Sequence, residues 1–105
     1  MNIGEIKALC KRGAVQYTNH LIIRILQRGI DIIEVEAAIL NGKIIQEYPE
    51  DYPYPSCLIL GRDRTNHPLH TVCGVSEEAL WLITAYYPDP NEWESDWATR
   101  RRASK

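Results

Sequence analysis

Residues 31–48, DIIEVEAAILNGKIIQEY, contain the change of rhythm that sets the fold. Asp31 with Glu34 three residues on is a capping-box-like start, and Ile32, Val35, Ala38 and Ile39 recur at three- and four-residue spacing. That is a helical core face, and Asn41-Gly42 ends it. Beyond Gly42 the period shortens to β-rich runs at 43–48, 56–61, 69–75 and 80–87. The connections between them, 49–55, 62–68 and 76–79, have no room for crossover helices. Successive strands are therefore expected to pair antiparallel, as a meander.

Upstream of this stretch, Asn2 can cap a helix with Ile3, Ile6, Leu9 and Cys10 on one side, and Gly13 stops it. Thr18 caps a second helix over 19–28, closed by Gly29. Its Leu21, Ile22, Ile25 and Leu26 lie on one side, with His20, Arg24, Gln27 and Arg28 on the other. Downstream, Asp89, Pro90 and Glu92 fit the N-cap, first and third positions of a closing helix. Trp93 and Trp97 would lie one turn apart on it, and Arg100, Arg101 and Arg102 would occupy its last turn, where cations suit the dipole. The expected fold is α+β: N-terminal helices packed on a four-stranded antiparallel meander, with a C-terminal helix.

With 105 residues, 45% hydrophobic and 25% charged, the chain fits one domain over 1–105, large enough to bury a core without a metal or disulfide. Cys10, Cys57 and Cys73 form no C-x-x-C pair, so neither a zinc knuckle nor a disulfide framework is indicated, and a reducing cytoplasmic compartment is expected. No signal-peptide pattern is present, and no apolar run approaches the roughly 20 residues that span a bilayer. No membrane association is expected. A net charge of -2 excludes nucleic-acid binding by bulk electrostatics. The charge is uneven, however, because basic ends (Lys7, Lys11, Arg12, Arg24 and Arg28; Arg100, Arg101, Arg102 and Lys105) flank acidic stretches at 31–51 and 76–99. If the ends meet in space they form a local positive patch; otherwise the charges are a solvated surface.

No phosphate-cradling glycine loop, H-E-x-x-H, G-x-S-x-G or C-x-x-C occurs. His20, Arg24 and Arg28, at i, i+4 and i+8, stack an imidazole and two guanidiniums along one helix face. Cations at that spacing repel by a few tenths of a kcal/mol, roughly, so the arrangement needs an anion nearby. A phosphate would serve, as would a carboxylate of the third helix or the sheet. His70 points the way Val72 does, opposite Leu69, Thr71 and Cys73, and an imidazole titrates near neutrality, which suits proton transfer. The ordinary alternative is a hydrogen-bonded residue at the sheet margin. The run His67-x-x-His70-x-x-Cys73 looks like a ligand set, but His70 and Cys73 point to opposite faces of a strand, so no metal is expected. In the last strand Thr84 and Tyr86 share one face, with Trp81, Ile83 and Tyr87 on the other.

His20, Arg24, Arg28-Gly29-Ile30, Glu34-Val35, Gly42, Pro68-Leu69-His70-x-Val72, Thr84-x-Tyr86-x-Pro88, Trp93 and the closing arginines, in that order over about residues 17–102, resemble the DUF4258 family. The resemblance implies a bacterial or archaeal protein similar to RelE-like and BrnT-like toxins, within a wider group of metal-independent ribonuclease-like folds that includes barnase and colicin E5. It implies helices on an antiparallel sheet, a toxin–antitoxin pairing with a small zinc-finger antitoxin, RNA or the ribosome as target, and no cofactor. The chemistry implied is transesterification, in which the RNA 2′-hydroxyl attacks the adjacent phosphate. His20 and His70 are then the candidate base and acid, in either order, and Arg24 the cation that stabilises the phosphorane. Arg28, Thr84, Tyr86, Arg100, Arg101 and Arg102 are candidates to bind the substrate. The other reading is a protein- or RNA-binding module on the same fold that cuts nothing.

Overall fold

The computed structural model describes residues 1–102. Three helices, α1 (Ile3–Lys11), α2 (Asn19–Arg28) and α3 (Ile32–Leu40), are interleaved with and followed by five strands, β1 (Val15–Tyr17), β2 (Lys43–Tyr48), β3 (Ser56–Arg62), β4 (Pro68–Val75) and β5 (Leu80–Tyr86). Each helix begins at its expected cap. Asn2 accepts from the Gly4 N–H at 2.7 Å, Thr18 from Leu21 at 3.1 Å and Asp31 from Ile33 at 3.0 Å. Gly13 and Gly29, both at positive φ, turn the chain out of α1 and α2.

The sheet order is β1-β5-β4-β3-β2. Strands β2 to β5 form the expected antiparallel meander. The expectation of a purely antiparallel, four-stranded sheet is corrected by β1, which pairs parallel with β5, Val15 opposite Leu80 and Tyr17 opposite Leu82. The sheet is therefore five-stranded and mixed. Strand β1 fits between the end of α1 and the Thr18 cap, and the Thr18 hydroxyl itself donates to the Leu82 carbonyl at 2.7 Å.

The expected C-terminal helix does not form. Glu92 and Trp93 both donate to the Asp89 carbonyl, completing one turn, after which the chain doubles back: Glu94 N–H bonds the Thr99 carbonyl, and Trp93 pairs with Arg100. Asp96 diverts the backbone by accepting from the N–H groups of Ala98 and Thr99, and Trp97 adopts φ 60°. Short polar side chains compete in this way with helical hydrogen bonding, so a start signal does not guarantee a helix.

One face of the sheet carries Cys57, Ile59, Leu69, Cys73, Leu80, Leu82 and Ala85 against the buried helix residues Ile6, Leu9, Leu21, Ile25, Val35, Ala38 and Ile39. The closest approach is at Gly61, where an added Cβ would lie 1.7 Å from the Ala38 carbonyl oxygen. Asn41 fastens the same junction, donating to the carbonyls of Ala37 and Arg62 and accepting from Arg62 N–H, each at 2.8 Å. The opposite, outer face is covered by irregular chain, with Trp93 packed edge-on against His70 at one end and Tyr54 stacked on Trp81 at the other.

Asp63, 8% exposed, anchors the β3–β4 turn by accepting from Thr65, the backbone of His67 and, at 2.8 Å, the Tyr87 hydroxyl. Desolvation pushes its carboxyl up, but these hydrogen bonds outweigh it and hold the group at about 2, below the ordinary 3.8. The resulting stabilisation is complete above pH 4 and disappears as pH falls from 3.8 towards 2, because only the unfolded chain binds the proton in that window. Tyr87→Phe is expected to cost about 1.5–3 kcal/mol at neutral pH, the value of a hydrogen bond to a charged group, and to flatten this acid limb in urea titrations at pH 2 to 5.

Candidate functional site

The site is built around an irregularity in β5. Val72 pairs with Thr84 and Cys73 with Leu82, so Ile83 is an extra residue, a β-bulge. The bulge changes which residues face outward. Gly74, Val72 and His70 share the outer face of β4 and lie opposite Trp81, Thr84 and Tyr86, so these three β5 residues are also outward. A Cβ on Gly74 would meet Ile83 Cδ1 at 3.7 Å, which adds Ile83 to the same face. The expected split, with Trp81 and Ile83 opposite Thr84 and Tyr86, is corrected: the extra residue shifts the alternation and gathers all four.

Strand β1 ends opposite Leu82, and α2 takes over beyond it. His20 Nδ1 lies 2.9 Å from the Ile83 carbonyl, and the Arg28 guanidinium donates to the Ala85 carbonyl at 2.9 Å and the Thr84 hydroxyl at 3.2 Å. The carbonyl can only accept, so His20 carries its proton on Nδ1. Its Nε2 then offers a lone pair, which accepts from Arg24 Nε at 3.3 Å. The polar face of α2 thus forms a seam with the upper half of β5. His20 and Arg28 are exposed and Arg24 half-buried, and neither arginine has a carboxylate partner among the described residues.

At the end of the seam a cleft of about 360 Å³ is lined by Arg28, Tyr86, Tyr87, Trp93 and Arg100 and equally by Asp89 and Glu92. Arg28 lies over the Tyr86 ring at 5.9 Å and Arg100 over Trp93 at 4.8 Å. The N-terminal and C-terminal cations do meet here, but acids accompany them. Arg100 is 3.7 Å from Glu92, while Arg101 is held by Glu94 and the Pro90 carbonyl; Arg102 is exposed.

His70 is placed differently. It is 0% exposed, beneath Trp93, and both ring nitrogens are engaged: Nε2 donates to the Trp97 carbonyl at 2.6 Å and Nδ1 accepts from the Tyr86 hydroxyl at 3.2 Å. Burial pushes its pKa down; the Trp97 carbonyl opposes this and Arg100 adds to it. The ring is thus a neutral positioning group that ties the C-terminal segment to Tyr86. No hydrogen bond or ring contact joins it to His20. His67 is exposed on the β3–β4 turn, and Cys73 is buried against the helices, so the three residues of the ligand-like run point to three places. Among the described residues no cluster of three or more His, Cys, Asp or Glu side chains is arranged to hold a metal.

Sequence reasoning therefore located His20, Arg24, Arg28, Thr84 and Tyr86, which come together, and Arg100, which joins them. It missed the carbonyls of Ile83 and Ala85, which accept from His20 and Arg28, and the two carboxylates, Asp89 and Glu92, that line the cleft.

The fold is a small α+β domain in which a helix with a cationic face closes the open side of a mixed sheet. The chain belongs to the family described as a domain of unknown function, DUF4258, whose model matches residues 17–87. That match runs from the last residue of β1 through β5 and includes the whole α2 seam. No curated protein matches the chain, and no solved structure matches it.

Proposed function

We propose that the chain is a metal-independent endoribonuclease, similar to the RelE-like and BrnT-like toxins, which binds RNA along the α2–β5 seam and cleaves it by transesterification. The observation that carries this reading is the state of His20. One nitrogen is fixed by the Ile83 carbonyl, and the other, an acceptor on an exposed helix face, lies beside the guanidinium of Arg24. A base and a cation side by side are what attack by a 2′-hydroxyl requires.

In the reaction Arg24 turns from Nε2 to the scissile phosphate. His20 Nε2 takes the 2′-hydroxyl proton, the O2′–P bond forms, and the P–O5′ bond breaks. The 5′-oxygen leaves as a hydroxyl with a proton from water, and the imidazolium returns its own proton to water. Arg28 and Thr84 hold the neighbouring phosphate, with Arg100 beyond them. His70 does not touch substrate; it holds the Tyr86 phenol beneath Arg28. The leucine and isoleucines exposed on α2, Ile22, Ile23 and the 75%-exposed Leu26, suit a protein partner that docks on α2 beside the seam, in keeping with a small zinc-finger antitoxin.

The test is incubation of the pure chain with RNA in EDTA. The expected products end in 2′,3′-cyclic phosphate and 5′-hydroxyl groups, and RNA with a single 2′-deoxy substitution is not cut at that position. His20→Asn, whose Nδ2 keeps a donor for Ile83 while the base is lost, is expected to slow cleavage about 100-fold or more with an unchanged melting temperature. The second reading, a binding module, is favoured by the same apolar strip, because RNA presents no aliphatic surface to it. Intact RNA after incubation with folded protein selects that reading.

A further inference from the structure

A second concavity, of about 340 Å³, opens on the outer face at the other end of the seam. Its floor is bare backbone at Gly74, where an added Cβ would stand 3.6 to 3.8 Å from Trp81, Ile83 and Tyr54. Its wall is aromatic, with Trp81 and Tyr54 stacked at 5.5 Å and 18°. Above it Tyr52 projects into water, 94% exposed.

One polar group lies on this space and another is buried in its wall. The indole N–H of Trp81 is buried and has no acceptor among the described residues. Asp51, at the rim, is held by the Ser56 hydroxyl through one oxygen, which leaves its other oxygen as an acceptor. A buried donor without an acceptor is rare in folded proteins, and the side chain that carries this one lines the cleft.

The cleft also adjoins the cationic seam. Thr18, which lines it, is the cap of α2, and Ile83, which also lines it, carries the carbonyl that fixes His20. From Trp81 to Thr84 is three residues of strand, about 10 Å. A ligand occupying both places has a flat ring with hydrogen-bonding edges at one end and an anion at the other. Proline-rich peptides offer rings without the anion, and free phosphate the anion without the ring.

We infer that the Tyr52–Trp81 cleft is a nucleobase subsite that receives one unstacked base of the RNA whose phosphates lie along Arg24 and Arg28. This rests on the ribonucleolytic reading for its biological meaning, but not for its chemistry. Tyr52 stacks on the base, Trp81 and Tyr54 wall it, and Asp51 accepts from an amino or imino group. Stacking on aromatic side chains is the general way in which proteins hold unpaired bases.

The experiment tracks the indole N–H resonances of the full chain by NMR during titration with a short single-stranded RNA, with nucleoside monophosphates, and with ribose 5-phosphate. The Trp81 resonance is expected to move with RNA and nucleotides and to stay still with ribose 5-phosphate. Tyr52→Leu is expected to weaken RNA binding about tenfold, and Tyr52→Trp to restore it, since residue 52 is too exposed for either change to disturb the fold. A Trp81 resonance that ignores RNA, or Tyr52→Leu binding as tightly as the parent, overturns the subsite. The two proposals fail separately. Cleavage at an unchanged rate by Tyr52→Leu removes the base subsite and leaves the nuclease, whereas a nucleotide-dependent Trp81 shift with no cleavage removes the nuclease and leaves the subsite.

Discussion

Gly61→Ala is expected to leave the chain unfolded or insoluble at 25 °C. The new methyl group would overlap the Ala38 carbonyl oxygen at 1.7 Å and the carbonyl carbon at 2.5 Å. Both are backbone atoms in the last turns of α3, so no side chain can rotate to make room. Relief requires α3 to lift from β3, which would open the core at Ala38, Ile39 and Ile59 and break the Asn41 bonds to Arg62. A small domain has only about 5–15 kcal/mol of total stability, and losses above about 4–5 kcal/mol come from this kind of overpacking. Gly74→Ala is the control: its Cβ meets its neighbours at 3.6 Å or more, an ordinary contact, and that variant is expected to fold. Circular dichroism and thermal melts of the two variants decide the matter. A cooperative melt for Gly61→Ala within a few degrees of the parent would refute the helix–sheet contact.

His70→Ala is expected to lower stability by about 2–4 kcal/mol, from a cavity under Trp93 together with the loss of partners for the Tyr86 hydroxyl and Trp97 carbonyl. For a domain of this size the melting temperature would fall by roughly 10–25 °C. The damage should concentrate in residues 89–100, so hydrogen exchange there quickens while α1 and α3 stay protected. The same ring gives a pH signature. Burial holds its pKa below the ordinary 6.5, so the unfolded chain takes up a proton first as the solution is acidified. The contribution is therefore complete above pH 6.5 and declines as pH falls from 6.5 towards the depressed folded value. His70→Gln removes the titrating group, and its stability should be flat across that window. A parent protein equally stable at pH 7 and 5 would contradict the burial of this imidazole.

Much of this architecture is legible in the sequence because its signals are local. Thr18 and Gly29 punctuate α2 to the residue, and the His20, Arg24 and Arg28 spacing survives folding because a helix face is a property of spacing alone. The β2–β5 meander is dictated by short connections. Strand β1 is not legible: three residues carry no alternation, and its partner lies far along the chain. The closing helix fails for the opposite reason. Asp89, Pro90 and Glu92 specify one turn, and Asp96, Trp97 and the packing of Trp93 on His70 decide the path of the chain beyond it. The bulge at Ile83 leaves no trace, since Leu82, Ile83 and Thr84 are all strand formers and only pairing with β4 singles one out. His70 can be placed on the correct strand face, but its depth depends on a covering segment whose local signals specify a helix.

The shortness of β1 has a consequence for how freely this surface can vary. A strand that stops at Tyr17, opposite Leu82, leaves main-chain acceptors of β5 able to template another molecule's strand, the usual route to unwanted self-association. The side chains that occupy those acceptors are His20 and Arg28. Substitutions that retune either residue towards a new ligand therefore also unmask an adhesive border, so recognition and colloidal behaviour are inherited together in this domain.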